Sequence, residues 1–237
     1  MNFLKLDYNQ FIPHIKNINL TEGDIFLVDK PYKVTSFEVV NKIKIAIRKN
    51  FPDKLKVGHA GTLDPLATGL LIICTGKKTK IIEQIQAMEK EYTGTFIVGS
   101  TTPCFDLEKE VDATFPTEHI TEKLIRETAQ KFLGKQIQTP PVFSAVKVNG
   151  KRAYDLARGG EEEIAVKAKE VDIKVFEITR VALPEIDFKV VCSKGTYIRS
   201  LARDFGTALG SGAHLGALRR TRTGEFHVDN AIKTIVD

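Results

Sequence analysis

Cysteine is scarce in this sequence, and no apolar run is long. Cys74, Cys104 and Cys192 are the only cysteines in 237 residues. They lie far apart, with no paired spacing for zinc, and an odd count does not build a disulfide framework. Cys74 and Cys192 stand in apolar, strand-like runs and read as small core residues. A reducing cytoplasm is the expected compartment. No apolar run approaches the ~20 residues that cross a bilayer. Met1–Asp7 lacks the apolar core of a secretory signal, so no membrane association is expected. Gly76-Lys77-Lys78-Thr79 suggests a phosphate loop, but that motif needs a glycine five positions before Gly76, where Leu71 stands. No metal site is expected, and neither a linker nor an internal repeat interrupts the chain, so residues 1–237 read as one domain.

What is present is the composition of a soluble globular protein, 42% hydrophobic and 27% charged. Lys and Arg number 35 against 30 Asp and Glu, a net charge of +5. The positions of the charges say more than the excess. Lys77, Lys78 and Lys80 form one basic cluster, Lys147, Lys151 and Arg152 a second, and Arg219, Arg220 and Arg222 a third. Singly each fits a solvated face; together they can neutralise phosphates and would make nucleic-acid binding salt-dependent.

Along the chain, residues 1–22 read as a loosely structured arm before a strand at Asp24–Asp29. Thr35 and Glu38 match a capping box, and Val39, Ile43, Ala46 and Ile47 give the helix that follows one apolar face. Ile81, Ile82, Ile85 and Met88 mark another helix. In the strand Glu91–Val98, Tyr92, Phe96 and Val98 share a face, with Gly94 leaving a gap there. Residues 99–115 read as loop. Thr121 caps a helix stapled by Ile120 and Ile125 and closed by Gly134. Val142–Val148 is expected as a strand and Lys151–Arg158 as a short basic helix. Alternation at Val171, Ile173 and Val175, and at Ile186, Phe188, Val190 and Cys192, predicts an antiparallel pair turning at Leu183-Pro184. Thr196 is the expected cap of a helix with Ile198, Leu201, Ala202, Phe205 and Leu209 inward. A strand over Leu218–Val228 and a helix capped by Asp229 complete the chain. Strands and helices mix without a βαβ rhythm, so the fold class is α+β.

The stretch from Val57 to Gly69 is the focus of the chain. It holds three glycines, His59 and Asp64, and leads into the apolar run Leu70–Cys74. Glycines let such a loop turn tightly and approach another backbone. Asp64-Pro65 has two readings. One is an ordinary helix start, with Asp64 as N-cap and Pro65 at the first helical position. The other is a stiff loop presenting one carboxylate at the mouth of a buried strand.

Five segments, in this order, are similar to the bacterial tRNA pseudouridine-55 synthase (TruB) family. They are Val28-Asp29-Lys30-Pro31, the Gly58–Gly69 loop, Lys90-Glu91-Tyr92, Ser193–Arg199, and Gly212-Ala213-His214 with Leu218-Arg219-Arg220. The resemblance covers about residues 24–228, and the Asp64 loop is its most specific part. It implies a mixed, largely antiparallel sheet flanked by helices, and an insertion at about 139–163 that grips the tRNA T arm. Many bacterial members carry a further small RNA-binding domain at the C-terminus, and none is expected here. Ser100–Asp106 differs from the family's polar threonine and aspartate run. The implied reaction isomerises uridine and uses no cofactor, guide RNA or obligate protein partner. By the family match Asp64 is the catalytic carboxylate. Arg199 is its partner, a guanidinium that would lower its pKa and orient it. Tyr92 and Tyr197 offer faces for a flipped uracil, Tyr92 also as a route for the C5 proton. His59 lies beside the flipped nucleotide, Leu218 lines the base pocket and Lys30 supports the cleft. Without the match, Arg199 reads as a surface arginine and the two tyrosines as core packing.

Overall fold

The computed structural model describes residues 4–6, 13, 15–51, 55–143, 147–148, 151–152 and 166–236. Two compact units emerge: residues 1–92 with 218–237, and residues 93–217.

The first unit begins with β1 (Leu4–Leu6), β2 (Ile25–Lys30), α1 (Ser36–Asn50), β3 (Val57–His59) and β4 (Ala67–Thr75). A 3-10 turn (Gly76–Ile81), α2 (Ile82–Ala87) and the start of β5 (Lys90–Val98) follow. The expected capping box is formed: the Thr35 hydroxyl accepts from the Glu38 amide, and the Glu38 carboxylate accepts from the Thr35 amide at 2.7 Å. Alternation in β2 turns Phe26, Val28 and Lys30 inward. β4 is buried along nearly its whole length, which explains its unbroken apolar run. β2 pairs antiparallel along one edge of β4, and β3 and the later strand β13 (Ala213–Thr223) share the other. Ala60, Leu70, Ile72, Cys74, Ile85 and Val228 form a core here, and Ile25, Leu27 and Met88 pack against it.

The second unit continues β5 and adds β6 (Ser100–Thr101), β7 (Ala113–Thr114), α3 (Glu122–Lys131) and β8 (Gly134–Gln138). The hairpin strands β9 (Lys147–Val148) and β10 (Lys151–Arg152) come next, then β11 (Lys169–Ala182), β12 (Glu185–Cys192), α4 (Ile198–Ala208) and the start of β13 (Ala213–Thr223). Strand order in this unit is β13-β5-β12-β11-β8. Its core is aromatic: Phe96 stacks on Phe188 at 4.1 Å between centroids, and Phe176, Phe132 and Phe205 pack edge-on or tilted around them. Each such pair is worth about 1 kcal/mol beyond its buried area.

The chain returns to the first unit through the rest of β13, β14 (Phe226–His227), a 3-10 turn (Val228–Asn230) and β15 (Ile232–Val236). Strand order in this unit is β1-β15-β2-β4-β13-β5, with β13 parallel to β4 and β15 parallel to β2.

Several expectations are corrected. The closing helix is instead β15, an added strand that also pairs with β1, so the N-terminal arm is anchored at Leu4–Leu6. Val175 is 37% exposed, because a register shift between Ile173 and Val175 slips the alternation and turns Phe176 and Ile178 inward instead. No gap lies over Gly94: a Cβ there would fall 2.3 Å from the Ala217 carbonyl oxygen and 2.7 Å from the Phe188 ring. Gly134 opens β8 with φ +82°, two residues after the Phe132 C-cap, and β8 itself carried no sequence signal. Loop 99–115 contains the paired strands β6 and β7. Lys151 and Arg152 form a strand where a helix was expected; the rest of that helix, residues 153–158, lies outside the described residues. Val142 and Phe143 are a bend, and of the expected strand only Lys147–Val148 is formed among the described residues.

Candidate active site

Asp64 does not start a helix. Pro65 and Leu66 form a turn, closed by the Ala67 amide donating to the Asp64 carbonyl at 3.1 Å, and β4 begins at once. The loop is pinned on both sides of its carboxylate. Before it, the buried Ser36 hydroxyl accepts from the Leu63 amide and donates to the Leu63 carbonyl, each at 2.9 Å. After it, the fully buried Lys30 ammonium donates to the carbonyls of Pro31, Val34 and Pro65 at 3.0, 2.6 and 3.2 Å. Burial pushes Lys30 down to about 8, while the charges of Asp64 and Glu38 act to raise it. Lys30 therefore sits within electrostatic reach of Asp64.

A second buried cation shapes the loop. Arg220 is 2% exposed, and β13 delivers it to the interior beside β4. Its Nε donates to the Leu70 carbonyl at 2.8 Å and its Nη2 to the Gly61 carbonyl at 3.0 Å, so one guanidinium ties the two ends of the Asp64 loop. Gly69, at φ +99°, lets this approach happen: a Cβ there would lie 2.3 Å from the Arg220 carbonyl oxygen. The neighbouring Arg219 makes a bidentate ion pair with Asp29 at 2.9 and 2.8 Å. His59 is half-buried on β3, its Nδ1 buried without a hydrogen-bond partner. Burial lowers its pKa and the Arg220 charge adds to the lowering, while the nearby Gly61 backbone opposes it. Tyr92, 9% exposed, and the half-buried Leu218 stand on the neighbouring strands β5 and β13, and Leu218 lies opposite Ala67 of β4. The first unit thus brings together Asp64, Lys30 and His59, with Arg220 as the residue that sequence reasoning missed. Its signal was present in the inward phase of β13.

The second unit holds Tyr197 and Arg199. Tyr197, not Thr196, is the N-cap of α4; the Thr196 hydroxyl donates instead to the Ser193 carbonyl at 3.0 Å. Gln138 holds the Tyr197 backbone from both sides, accepting from its amide at 2.8 Å and donating to its carbonyl at 3.1 Å. The Lys169 ammonium lies 4.9 Å from the Tyr197 ring centroid, and burial lowers its pKa. Arg199 is 5% exposed, which removes the surface reading. Its Nη1 donates to the Cys104 carbonyl at 3.3 Å and its Nη2 to the Phe143 carbonyl at 2.9 Å, and its Nε lies 3.6 Å from Oδ2 of the buried Asp106. Gln138 and Asp106 were also missed; Asp106 stands in the run set apart only for differing from the family.

Among the described residues no helix is long and apolar enough to cross a membrane. The architecture is that of the pseudouridine synthase fold. A crystal structure of a Cbf5-Nop10-Gar1 complex contains a chain 30% identical to this one, with a TM-score of 0.68 over 90% of this chain. A structure of an H/ACA RNP bound to a substrate RNA containing 2'-deoxyuridine gives 27% and 0.65 over 94%. This chain spans 53% of the length of each of those chains. The family model for the TruB family pseudouridylate synthase N-terminal domain matches residues 48–198. The model for the tRNA pseudouridylate synthase B C-terminal domain matches residues 199–237. The tRNA pseudouridine synthase B of Flavobacterium johnsoniae is 60% identical over 89% of this chain and 93% of its own length. That of Phocaeicola vulgatus is 59% identical over 91% and 92%. The chain belongs to the TruB family of pseudouridylate synthases.

Proposed function

We propose that this chain converts uridine to pseudouridine at position 55 in the T loop of tRNA, alone and without a guide RNA, with Asp64 as the nucleophile. Membership of the family makes it a pseudouridine synthase, and its relatives at 45–60% identity are named for tRNA. The observation that carries the reading is the held carboxylate: Asp64 sits on a loop fixed by Ser36, Lys30 and Arg220. A rigid carboxylate near a buried cation is what covalent catalysis at a nucleoside needs.

The reaction breaks the bond from uracil N1 to ribose C1′, turns the base and joins C5 to C1′, and the C5 proton moves to N1. Oxidation state does not change and no group is imported, so the residues supply positioning, a nucleophile and a proton route. A stacked T-loop uridine must first be flipped out, at a cost of a few kcal/mol. Tyr92 and Tyr197 stack on the flipped uracil, Leu218 lines its pocket, His59 lies beside the nucleotide and Tyr92 assists the C5 proton. Arg199 is assigned to the same reaction through the Lys194–Arg199 motif, as the cation that partners the catalytic carboxylate. The insertion at 139–163 grips the T arm, and the cytoplasm is where the substrate is met.

Guide dependence is the second reading, because the structural relatives come from Cbf5 and H/ACA assemblies. The purified chain incubated with unmodified tRNA and no other macromolecule separates the two. Pseudouridine at position 55 is expected; product only after a guide RNA or protein is added would establish the second reading.

A further inference from the structure

The turn Thr102–Asp106 carries a strained residue that the reaction as described leaves unused. Phe105 has φ +64°, in the left-handed region where a bulky side chain crowds its own backbone. Strain of this kind persists only where the surroundings over-determine it. Here they do. The Phe105 amide donates to the Thr102 carbonyl at 3.1 Å, and the Leu215 amide donates to the Phe105 carbonyl at 2.9 Å. The Thr102 hydroxyl and the Cys104 thiol both donate to the Asp106 carbonyl, at 2.7 and 3.4 Å.

Two arginines of α4, one helical turn apart and so on the same helix face, hold this turn. Arg199 takes the Cys104 carbonyl and faces the Asp106 carboxylate. The half-buried Arg203 lies over the Phe105 ring, 4.9 Å from its centroid, and its Nε donates to Asp204 at 2.7 Å. The reversed backbone at Phe105 is what puts the Cys104 carbonyl and the Asp106 carboxylate, its neighbours on either side, within reach of one guanidinium. The Arg203 stack holds the ring that holds that backbone.

We propose that Phe105, clamped by Arg203, is a positioning residue that sets the orientation of Arg199 for pseudouridine formation. The inference rests on the role assigned to Arg199 above. It adds a device that Ser100–Asp106 carries in place of a polar run.

The test uses the full chain with Phe105→Gly, Phe105→Tyr, Arg203→Gln and the Phe105→Gly/Arg203→Gln pair. Glycine accepts φ +64° freely, so Phe105→Gly keeps the thermal midpoint near that of the wild type while removing the ring. Its single-turnover rate on unmodified tRNA falls about tenfold, with tRNA affinity within about twofold. Phe105→Tyr keeps the ring and the wild-type rate. Arg203→Gln gives a smaller loss of rate, and the double variant is no slower than Phe105→Gly alone, because the two residues act as one unit. A wild-type rate in Phe105→Gly overturns the inference, as does a loss that merely follows a drop in midpoint or affinity. If Phe105→Gly does not fold, a wild-type rate in Arg203→Gln overturns it. The 15N resonance of the Arg199 Nε gives a readout free of turnover. It shifts in Phe105→Gly if the clamp sets Arg199, and an unmoved resonance overturns the inference. A wild type that binds tRNA without converting it would count against the proposed function alone.

Discussion

Ser36→Ala is a small change with a large expected effect. The Ser36 hydroxyl is the partner of both backbone groups of Leu63, the residue before Asp64, and all of these atoms are buried. Alanine fits the space and favours the first turn of α1 slightly, by about 0.5 kcal/mol. Against that, a buried amide and a buried carbonyl each lose their hydrogen bond, at about 1–3 kcal/mol apiece. The net cost is about 2–5 kcal/mol, which for a chain of this size lowers the thermal midpoint by roughly 5–15 °C. Leu63 then turns toward water, and a 1 Å displacement of a reacting group costs on the order of a hundredfold in rate. Calorimetry with single-turnover kinetics on unmodified tRNA, below the variant's midpoint, measures both effects. A midpoint within about 1 °C of the wild type together with an unchanged rate would refute the reasoning, since a hydroxyl that pins the loop cannot be removed at no cost.

Other outcomes follow from the same geometry. Lys30 has its folded pKa depressed to about 8 from 10.5, so between those values the unfolded chain binds the extra proton and stability rises with pH. The burden below pH 8 is about 3 kcal/mol; Lys30→Met removes this term, so the difference in midpoint between wild type and variant changes across pH 8–10 in wild type's favour, and a pH-independent difference would contradict it. Gly69→Ala places a methyl group against the Arg220 carbonyl at φ +99°; urea unfolding should show a loss of more than about 2 kcal/mol, and a neutral result would mean the two strands are not in this close approach. Arg199→Ala should slow single-turnover conversion at least a hundredfold, with a much smaller loss of tRNA affinity; equal losses of rate and affinity would make Arg199 a phosphate contact instead.

Local grammar carried much of this fold. The Thr35–Glu38 capping box, the Ile120–Ile125 staple and the inward face of α4 are patterns in which a few residues determine their own conformation, and all three are formed or buried as expected. Where the reading failed, the deciding partner lay far away in sequence. Asp229 reads as a helix cap, yet the segment after it is drawn into the sheet beside β2. Val175 fits an alternation that a bulge against β12 breaks. In the site, Asp64 is singled out through a motif, because its loop is contiguous. Arg220 and Asp106 were not, because a buried charge is recognised by what it touches: the Gly61 and Leu70 carbonyls for one, and Arg199 for the other. Arg199 is assigned through its motif and without it reads as a surface residue; its burial, at 5% exposure, is visible only with the fold.

The central claim is that Asp64 performs the chemistry and that its loop exists to hold it. Asp64→Asn keeps the shape of the side chain and removes the charge, so product formation and tRNA binding measured on the same preparation test it directly. The account predicts binding within about twofold of the wild type and no pseudouridine at position 55, as removal of a nucleophile demands. Undiminished pseudouridine from Asp64→Asn would contradict it.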